Sequence, residues 1–288
     1  MSPSIRQHFF YDDYQIGLIF EPLDQFIAEP EKFFDCIKWL VKPFKKSQMS
    51  QAFLSQDAYG HRIFFTFNHA GKRMIYSTEE KTGFDLYHLA LASDHNHCFP
   101  GVFVYGNTLF CLPATLDSDQ LFLFTFDAGS HKLTPFKMLL EGYEGLFPNI
   151  FRHNGLWWLM CYTISDNKHW MNLFWSDDIQ ASFTPHAKNP IEVDEPLLIP
   201  AGPLIYYNEK LLLPMANPAD NISSIELHEV LSLTSEDFST KFMKRITAPE
   251  RGNMGGGLVH LSGNEHYTVI SARRSVFTWS GFFKNKKI

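Results

Sequence analysis

Cysteine is scarce in this chain. There are four, Cys36, Cys98, Cys111 and Cys161, and none stands in a CxxC pair. That excludes a zinc ribbon or a dithiol redox motif. Irregular spacing without an export signal predicts four free thiols, with Cys111 and Cys161, inside apolar runs, acting as small buried hydrophobes. No apolar run approaches the roughly 20 residues of a membrane-spanning helix. Residues 1–20 lack a basic stretch followed by a long apolar one, so no secretory signal is expected and the expected location is cytoplasmic. Positive charge is not in excess: 25 Lys and Arg face 31 Asp and Glu, a net charge of -6. Nothing there suggests nucleic-acid binding. GxSxG and HExxH are missing. Gly255-Gly256-Gly257 is not a phosphate loop, because no Lys-Ser/Thr follows and the next residues read as a strand. Those glycines are expected to let the backbone turn tightly near an axis.

What is abundant is aromatic. Aromatics make up 16% of 288 residues, with 28 Phe, and hydrophobic residues 45%. Aromatics favour strands, and the length suffices for a sizeable core. The most legible stretch is Leu146 to Thr163. Phe147–Phe151 and Leu156–Tyr162 read as strands around His153-Asn154-Gly155, and Asn-Gly between apolar runs is a strong hairpin signal. The same unit recurs. Phe53, Phe103, Phe151, Ile205 and Val259 anchor five such hairpins, separated by 50, 48, 54 and 54 residues. A third strand follows each, among them Arg73–Ser77, Met171–Trp175 and Ser275–Trp279, and a weaker fourth follows the first four, such as Phe136–Leu139.

Four strands per period near 50 indicate propeller blades. The expected fold is all-β: one five-bladed β-propeller over residues 1–288, with blades starting near 50, 100, 147, 201 and 256. A two-sheet sandwich is the alternative, but its strands should not recur in register five times. The fifth repeat stops at its third strand, so the isolated strand 14–20 is expected to supply the fourth and close the ring, removing exposed edges. Pro22 to Phe44 is expected to hold one short helix, stopped by Pro43.

Blade geometry selects a face. The connections into each first strand and out of each second strand lie together over the channel mouth. Around the first-strand starts are Ser50, Gln51, His97, Glu144, Asn149, Glu195 and Glu250. Beyond the second strands are Asn68, His69, Thr115, Asp117, Asp119, Thr163, Asp166, His169, Asn217, Asp220, Arg273 and Arg274. Each alone is an ordinary solvated loop residue; together they can line a polar pocket. If the protein is catalytic, Glu144 and Asp220 are the candidate acid and base. His69, Asn149, Asp166, His169, Asn217 and Arg273 are the candidate substrate-binding residues. His260 either faces the channel or is a satisfied core histidine. His95 and His97 lack a third ligand, and no metal site and no cofactor are expected.

One stretch carries a family resemblance. Phe147–Phe151 through Trp157-Trp158-Leu159, then Asn172–Ile179, Thr184–Ile191 and Pro200-Ala201-Gly202, resembles the N-terminal propeller domain of glucosamine inositolphosphorylceramide transferase and its bacterial relatives. Gly257–Ser262 is similar to that family's final-blade motif. The resemblance implies a five-bladed propeller similar to family 43 and family 32 glycoside hydrolases, and a role in glycan or surface-polysaccharide biosynthesis. The implied ligand is a sugar, nucleotide-sugar or glycan. The chain departs where those hydrolases keep an aspartate base. It reads Met49-Ser50-Gln51-Ala52-Phe53 in the first inner strand and Phe147-Pro148-Asn149 in the third, and Ile199 replaces the arginine before Pro-Ala-Gly. The expectation is therefore a carbohydrate-active or carbohydrate-binding propeller. The rivals are an inactive pseudoenzyme and a protein-interaction scaffold.

Overall fold

A computed structural model describes residues 10–44, 47–165, 168–193, 198–217 and 222–277. Five antiparallel sheets form a five-bladed propeller. Blade 1 is β3 (Gln48–Asp57), β4 (Gly60–His69), β5 (Lys72–Glu79) and β6 (Tyr87–Leu91). Blade 2 is β7 (His97–Tyr105), β8 (Thr108–Thr115), β9 (Gln120–Asp127) and β10 (Lys132–Glu141). Blade 3 comprises β11 (Leu146–His153), β12 (Leu156–Ser165) and β13 (Lys168–Ser176), edged by the short β14 (Thr184–Pro185) and β15 (Ile191–Glu192). Blade 4 has a broken inner strand, β16 (Ile199–Pro200) and β17 (Ile205–Tyr207), then β18 (Lys210–Ala216), β19 (Ile225–Leu233) and β20 (Phe238–Ile246). The Asn154-Gly155 turn is the expected one, with φ of 49° and 82°.

The fifth blade differs from expectation. β21 (Leu258–Gly263) pairs with one long strand, β22 (Thr268–Phe277), rather than with two. The N-terminal strand β1 (Phe10–Ile19) therefore lies third, pairing with β22 from Phe10↔Phe277 to Ile19↔Thr268. The fourth place falls to β2 (Lys38–Trp39), paired at Gly17↔Trp39. Gly17 explains this. A Cβ there would lie 2.5 Å from the Ile37 side chain and 3.2 Å from that of Trp39, so glycine leaves room for both side chains against the edge. The short helix between is present but stops well before Pro43. α1 spans Leu23–Ala28, and Pro30 opens a separate single turn to Lys32. Proline removes a backbone donor and clashes with the preceding turn, so the apolar run to Leu40 cannot continue as one helix.

Alternation along the strands builds a core between each pair of neighbouring blades. Blades 1 and 2 bury Phe64, Ile75, Cys111 and Phe124; blades 2 and 3 bury Leu112, Leu123, Leu159 and Phe174. Trp158, Leu173, Leu211 and Met215 lie between blades 3 and 4, and Ile225, Leu227, Leu258 and Ile270 between 4 and 5. Ile16, Leu18 and Val269 meet Met49, Ile63 and Phe65 where blade 5 returns to blade 1. All four cysteines are free; three are buried and Cys36 is exposed. Burial pushes the Cys98 thiol up to about 11 and Cys161 to about 12, so both are unreactive. Among the described residues no helix is long and apolar enough to cross a membrane.

The closing seam also carries a polar latch. Glu80 of blade 1 accepts from the Tyr267 hydroxyl at 2.6 Å and from His61 Nδ1 at 2.7 Å. Those bonds, Tyr267 first, hold the Glu80 carboxyl down to about 2. A depressed carboxyl stabilises the fold fully above its ordinary value near ~4.3. That contribution is lost as pH falls from there toward about 2. Because the carboxylate is 42% exposed, solvent screening holds the gain to about 1 kcal/mol. Glu80→Gln is expected to lower stability by that amount at neutral pH and to flatten the acid limb of a urea-stability profile. An unchanged acid limb would remove Glu80 from the account.

Candidate functional site

The inner strands share an irregularity that shapes the axis. Left-handed backbone occurs at Gln51 (φ 52°), Phe99 (51°), Phe147 (48°), Gly202 (152°) and Gly257 (87°), one per blade at 48, 48, 55 and 55 residues. The pairing register slips beside these positions in blades 1, 2, 3 and 5, and in blade 4 the inner strand is interrupted there. Each is a β-bulge or break that re-aims side chains. Three of the five positions are non-glycine, where left-handed backbone costs roughly 1–2 kcal/mol. Such strain persists only where the surroundings over-determine it.

Those surroundings are visible. Gln51 Oε1 accepts from Thr66 Oγ1 at 2.9 Å and from the Phe99 amide at 3.1 Å, tying the first two bulges together. Phe99 packs edge-on to Phe53 (4.8 Å between centroids) and to Phe147 (5.5 Å). The His260 ring lies 4.6 Å from Phe53 and 5.5 Å from Phe99. The channel is thus plugged by three phenyl rings and one imidazole. His260 is fully buried, and neither ring nitrogen has a hydrogen-bond partner. Burial pushes it down to about 3, so the imidazole is neutral. His260 is therefore a core histidine packed on Phe53 and Phe99, without the hydrogen-bond partners that a satisfied core position would supply.

Next to this plug is a cavity of about 190 Å³. One wall is a cross-strand patch of blade 1. Gln48 is paired with Asn68 and Asn68 with Arg73, while Ser50 is paired with Thr66. Gln51, Tyr14 and His260 complete the polar lining, and Ile199, Pro200 and Val259 the apolar part. Arg73 is the one charged side chain among the described lining residues, and no carboxylate is among them. Burial first, then the Asp12 charge, raises the Tyr14 hydroxyl, which keeps it protonated. The cavity therefore offers amides, hydroxyls and a guanidinium, while the His260 ring nitrogens stay buried behind its wall. It can donate and accept hydrogen bonds and hold an anion, but the described lining contains no group to act as a carboxylate base.

The candidate residues from sequence are scattered around it. Arg273 is buried opposite Tyr14 on the paired strand, donates to the Gly256 carbonyl at 3.3 Å and lies 3.9 Å from Asp12. Tyr14 lines the cavity, and Arg273 behind it does not. His69 follows Asn68 but points to the other side of β4, where its ring packs at a tilt against Phe44, 5.2 Å between centroids. Asn149 is buried beyond the third bulge with its amide nitrogen unpartnered. His169 Nδ1 lies 3.3 Å from the Leu198 carbonyl. The Asn217 carbonyl accepts from Ser223 at 3.2 Å. Glu144 is exposed, and its carboxylate accepts from the Ile164 amide at 3.5 Å. None of these five lines the cavity. Asp166 and Asp220 lie outside the described residues. Gln51, Ser50 and Asn68, from the wider face, do line it. Tyr14, Gln48, Thr66 and Arg73 were missed. The signal for Gln48 and Thr66 was period-two alternation, which puts them on the same faces as Ser50 and Asn68.

The fold matches solved structures of carbohydrate enzymes. No family model matches the chain, and no curated protein matches it. A family 117 glycoside hydrolase from Zobellia galactanivorans aligns over 82% of this chain and 88% of its own, with TM-score 0.56 and 10% identity. An endo-arabinase from Bacteroides thetaiotaomicron aligns over 70% and 82%, with TM-score 0.53 and 11% identity. An exo-β-1,3-galactanase from Clostridium thermocellum aligns over 67% of this chain and 49% of its own, with TM-score 0.51 and 12% identity. The chain thus spans about half the length of that galactanase. At these identities the likeness is one of fold: a five-bladed propeller similar to family 43 and family 117 glycoside hydrolases.

Proposed function

We propose that the cavity beside the axis binds a carbohydrate without hydrolysing it, and that the protein, acting as one unit over residues 1–288, serves cytoplasmic glycan or surface-polysaccharide biosynthesis. The observation that carries this reading is the described lining. Amides and hydroxyls suit sugar hydroxyls, each of which both donates and accepts. Glycoside hydrolysis needs two carboxyls across the scissile bond, and the described wall has none. Neighbours of the same fold support the ligand class: a galactanase from Phanerochaete chrysosporium was solved with galactose and with β-1,3-galactotriose. The role in biosynthesis rests on the resemblance of Phe147–Gly202 to the inositolphosphorylceramide transferase propeller. Arg73 favours a ligand with a phosphate or carboxylate, such as a nucleotide-sugar, and Arg273 sets the position of Tyr14.

The test is a binding screen of glycans and nucleotide-sugars, with turnover of aryl arabinosides, xylosides and galactosides measured alongside. Arg73→Ala is expected to weaken binding by about 10- to 100-fold, the loss of one charge-assisted hydrogen bond. Asn68→Ala is expected to weaken it by less, and turnover to be absent. Binding that neither variant changes would overturn the site. Robust turnover lost in Glu144→Gln or Asp220→Asn would replace the reading with hydrolysis by that pair.

A further inference from the structure

A charged cluster lies on the opposite face, where blade 1 meets blade 2. β5 runs from Arg73, at the cavity, to Glu79 at its far end. Glu79 is 4% exposed, and both its oxygens are paired. Arg62 Nη1 lies 2.9 Å from Oε2, and Lys81 Nζ 2.9 Å from Oε1. Arg62 is buried as well, with its guanidinium 4.7 Å over Phe126 of blade 2. Against this pair lie two imidazoles, one from each blade. His88 of β6 and His131 of the β9–β10 turn stack face to face, 3.7 Å between centroids and 3° from parallel. Arg62 Nη1 is 3.5 Å from His131 Nδ1. A guanidinium only donates, so that nitrogen accepts and the His131 proton sits on Nε2. His88 Nε2 is buried without a partner.

We propose that this imidazole stack is a proton-sensitive clasp between blades 1 and 2, closed while both rings are neutral and released at mildly acid pH when one ring takes a proton. The surrounding charges set the direction. Arg62, from β4, and Lys81, in the single turn after β5, already bring two cations to one carboxylate. From blade 2 the turn brings Asp127, whose carboxylate is engaged by the Ser130 hydroxyl and the Gly129 amide. It also brings Lys132, whose ammonium donates to the Leu89 carbonyl of β6. A proton on either ring therefore adds a third cation around Glu79. On His131 Nδ1 it also removes the acceptor that faces Arg62. On His88 Nε2 it puts charge on a buried atom with nothing to receive it. Burial first, then His131, already hold His88 below its ordinary value.

A ring depressed in the folded state stabilises the closed form fully above its unfolded value near ~6.5. That contribution is lost as pH falls from there through the folded value, by up to about tenfold in the opening constant per pH unit for one proton. The window is separate from that of the Glu80 latch, which responds only below ~4.3. The apolar core beneath the clasp, where Phe64 meets Phe126 edge-on at 5.0 Å, holds no part of the stack. Release is therefore confined to β6 and the β9–β10 turn.

The test follows amide hydrogen exchange of the full chain from about pH 8 to about pH 5, the range in which histidine changes charge, corrected for the intrinsic rate. Peptides covering β6 and the β9–β10 turn should lose protection by up to about tenfold per pH unit below ~6.5. Peptides covering β4 and β8 should keep theirs. His88→Gln and His131→Gln cannot take the proton, so each should flatten the response while retaining protection at the alkaline end. Burial also depresses His97 and His260, but both stay in these variants, so their share of any acid loss remains as background. Where glutamine itself loosens the seam, proton NMR of the parent decides: the His88 ring should titrate below the ordinary histidine value. Equal acid loss of protection in the parent and the His88/His131 double variant would overturn the proposal. So would unchanged protection of β6 down to about pH 5, or a His88 ring that titrates at or above the ordinary value.

Discussion

Deleting residues 1–19 is expected to abolish the cooperative fold rather than trim it. β1 is an interior strand of blade 5, paired over ten residues with β22 and, at its end, with β2. Ile16, Leu18 and Ile19 are wholly buried. At about 1.5–3 kcal/mol for each fully buried aliphatic side chain, these three alone contribute roughly 5–9 kcal/mol. A whole domain is stable by only about 5–15 kcal/mol. The deletion also opens the ring, leaving β22 as a bare edge that invites pairing with other chains. Circular dichroism through a urea titration should show one transition for the full chain and none for the truncated one. Leu18→Ala, which keeps the strand, should cost about 2–5 kcal/mol. A truncated chain that unfolds cooperatively within about 1 kcal/mol of the parent, the size of an ordinary point mutation, would show that blade 5 is not closed by this strand.

The second large effect is expected at the axis. Gly257→Ala places a methyl 1.8 Å from the Ser223 carbonyl oxygen and 2.5 Å from its nitrogen, at φ +87°. Ser223 cannot retreat, because its amide donates to Gly256 and its carbonyl accepts from Leu258, both at 2.9 Å. Gly202→Ala meets the Leu261 carbonyl at 1.9 Å. Overpacking costs about 1–3 kcal/mol and occasionally more, and left-handed backbone adds about 1–2 kcal/mol for a residue with a Cβ. A loss above about 3 kcal/mol is expected at either site. Gly155→Ala is the control. Its φ is +82° but nothing lies within 4 Å, so only the backbone term applies. If urea midpoints place Gly257→Ala no lower than Gly155→Ala, the close approach of blades 4 and 5 is not what holds the axis. Because Gly257 precedes His260 by three residues, this same approach sets the imidazole against Phe53 and Phe99.

Five hairpins at near-constant spacing, the Asn154-Gly155 turn and the free thiols were legible in the sequence, because they rest on local rules. Alternation sets which side of a strand is apolar, and two residues set a turn. The order of strands within blade 5 was not legible. It depends on pairing between distant segments, Phe10–Ile19 with Thr268–Phe277 and Gly17 with Trp39. The short helix was legible but its end was not, because Pro30 rather than Pro43 bounds it. The candidate site was legible only as a face. Which polar residues of that face meet depends on one left-handed bulge per inner strand. Phe99-Pro100, Phe147-Pro148 and Gly202-Pro203 stand in the sequence without announcing it. A phenylalanine at positive φ is unfavourable by itself and is held there by partners from other blades. Composition and periodicity therefore determined that this chain makes five blades. Packing around the axis decided that Gln51, Asn68 and Arg73, rather than Glu144, line the cavity, because side-chain direction at a bulge is set by long-range contact and not by the residues on either side of it.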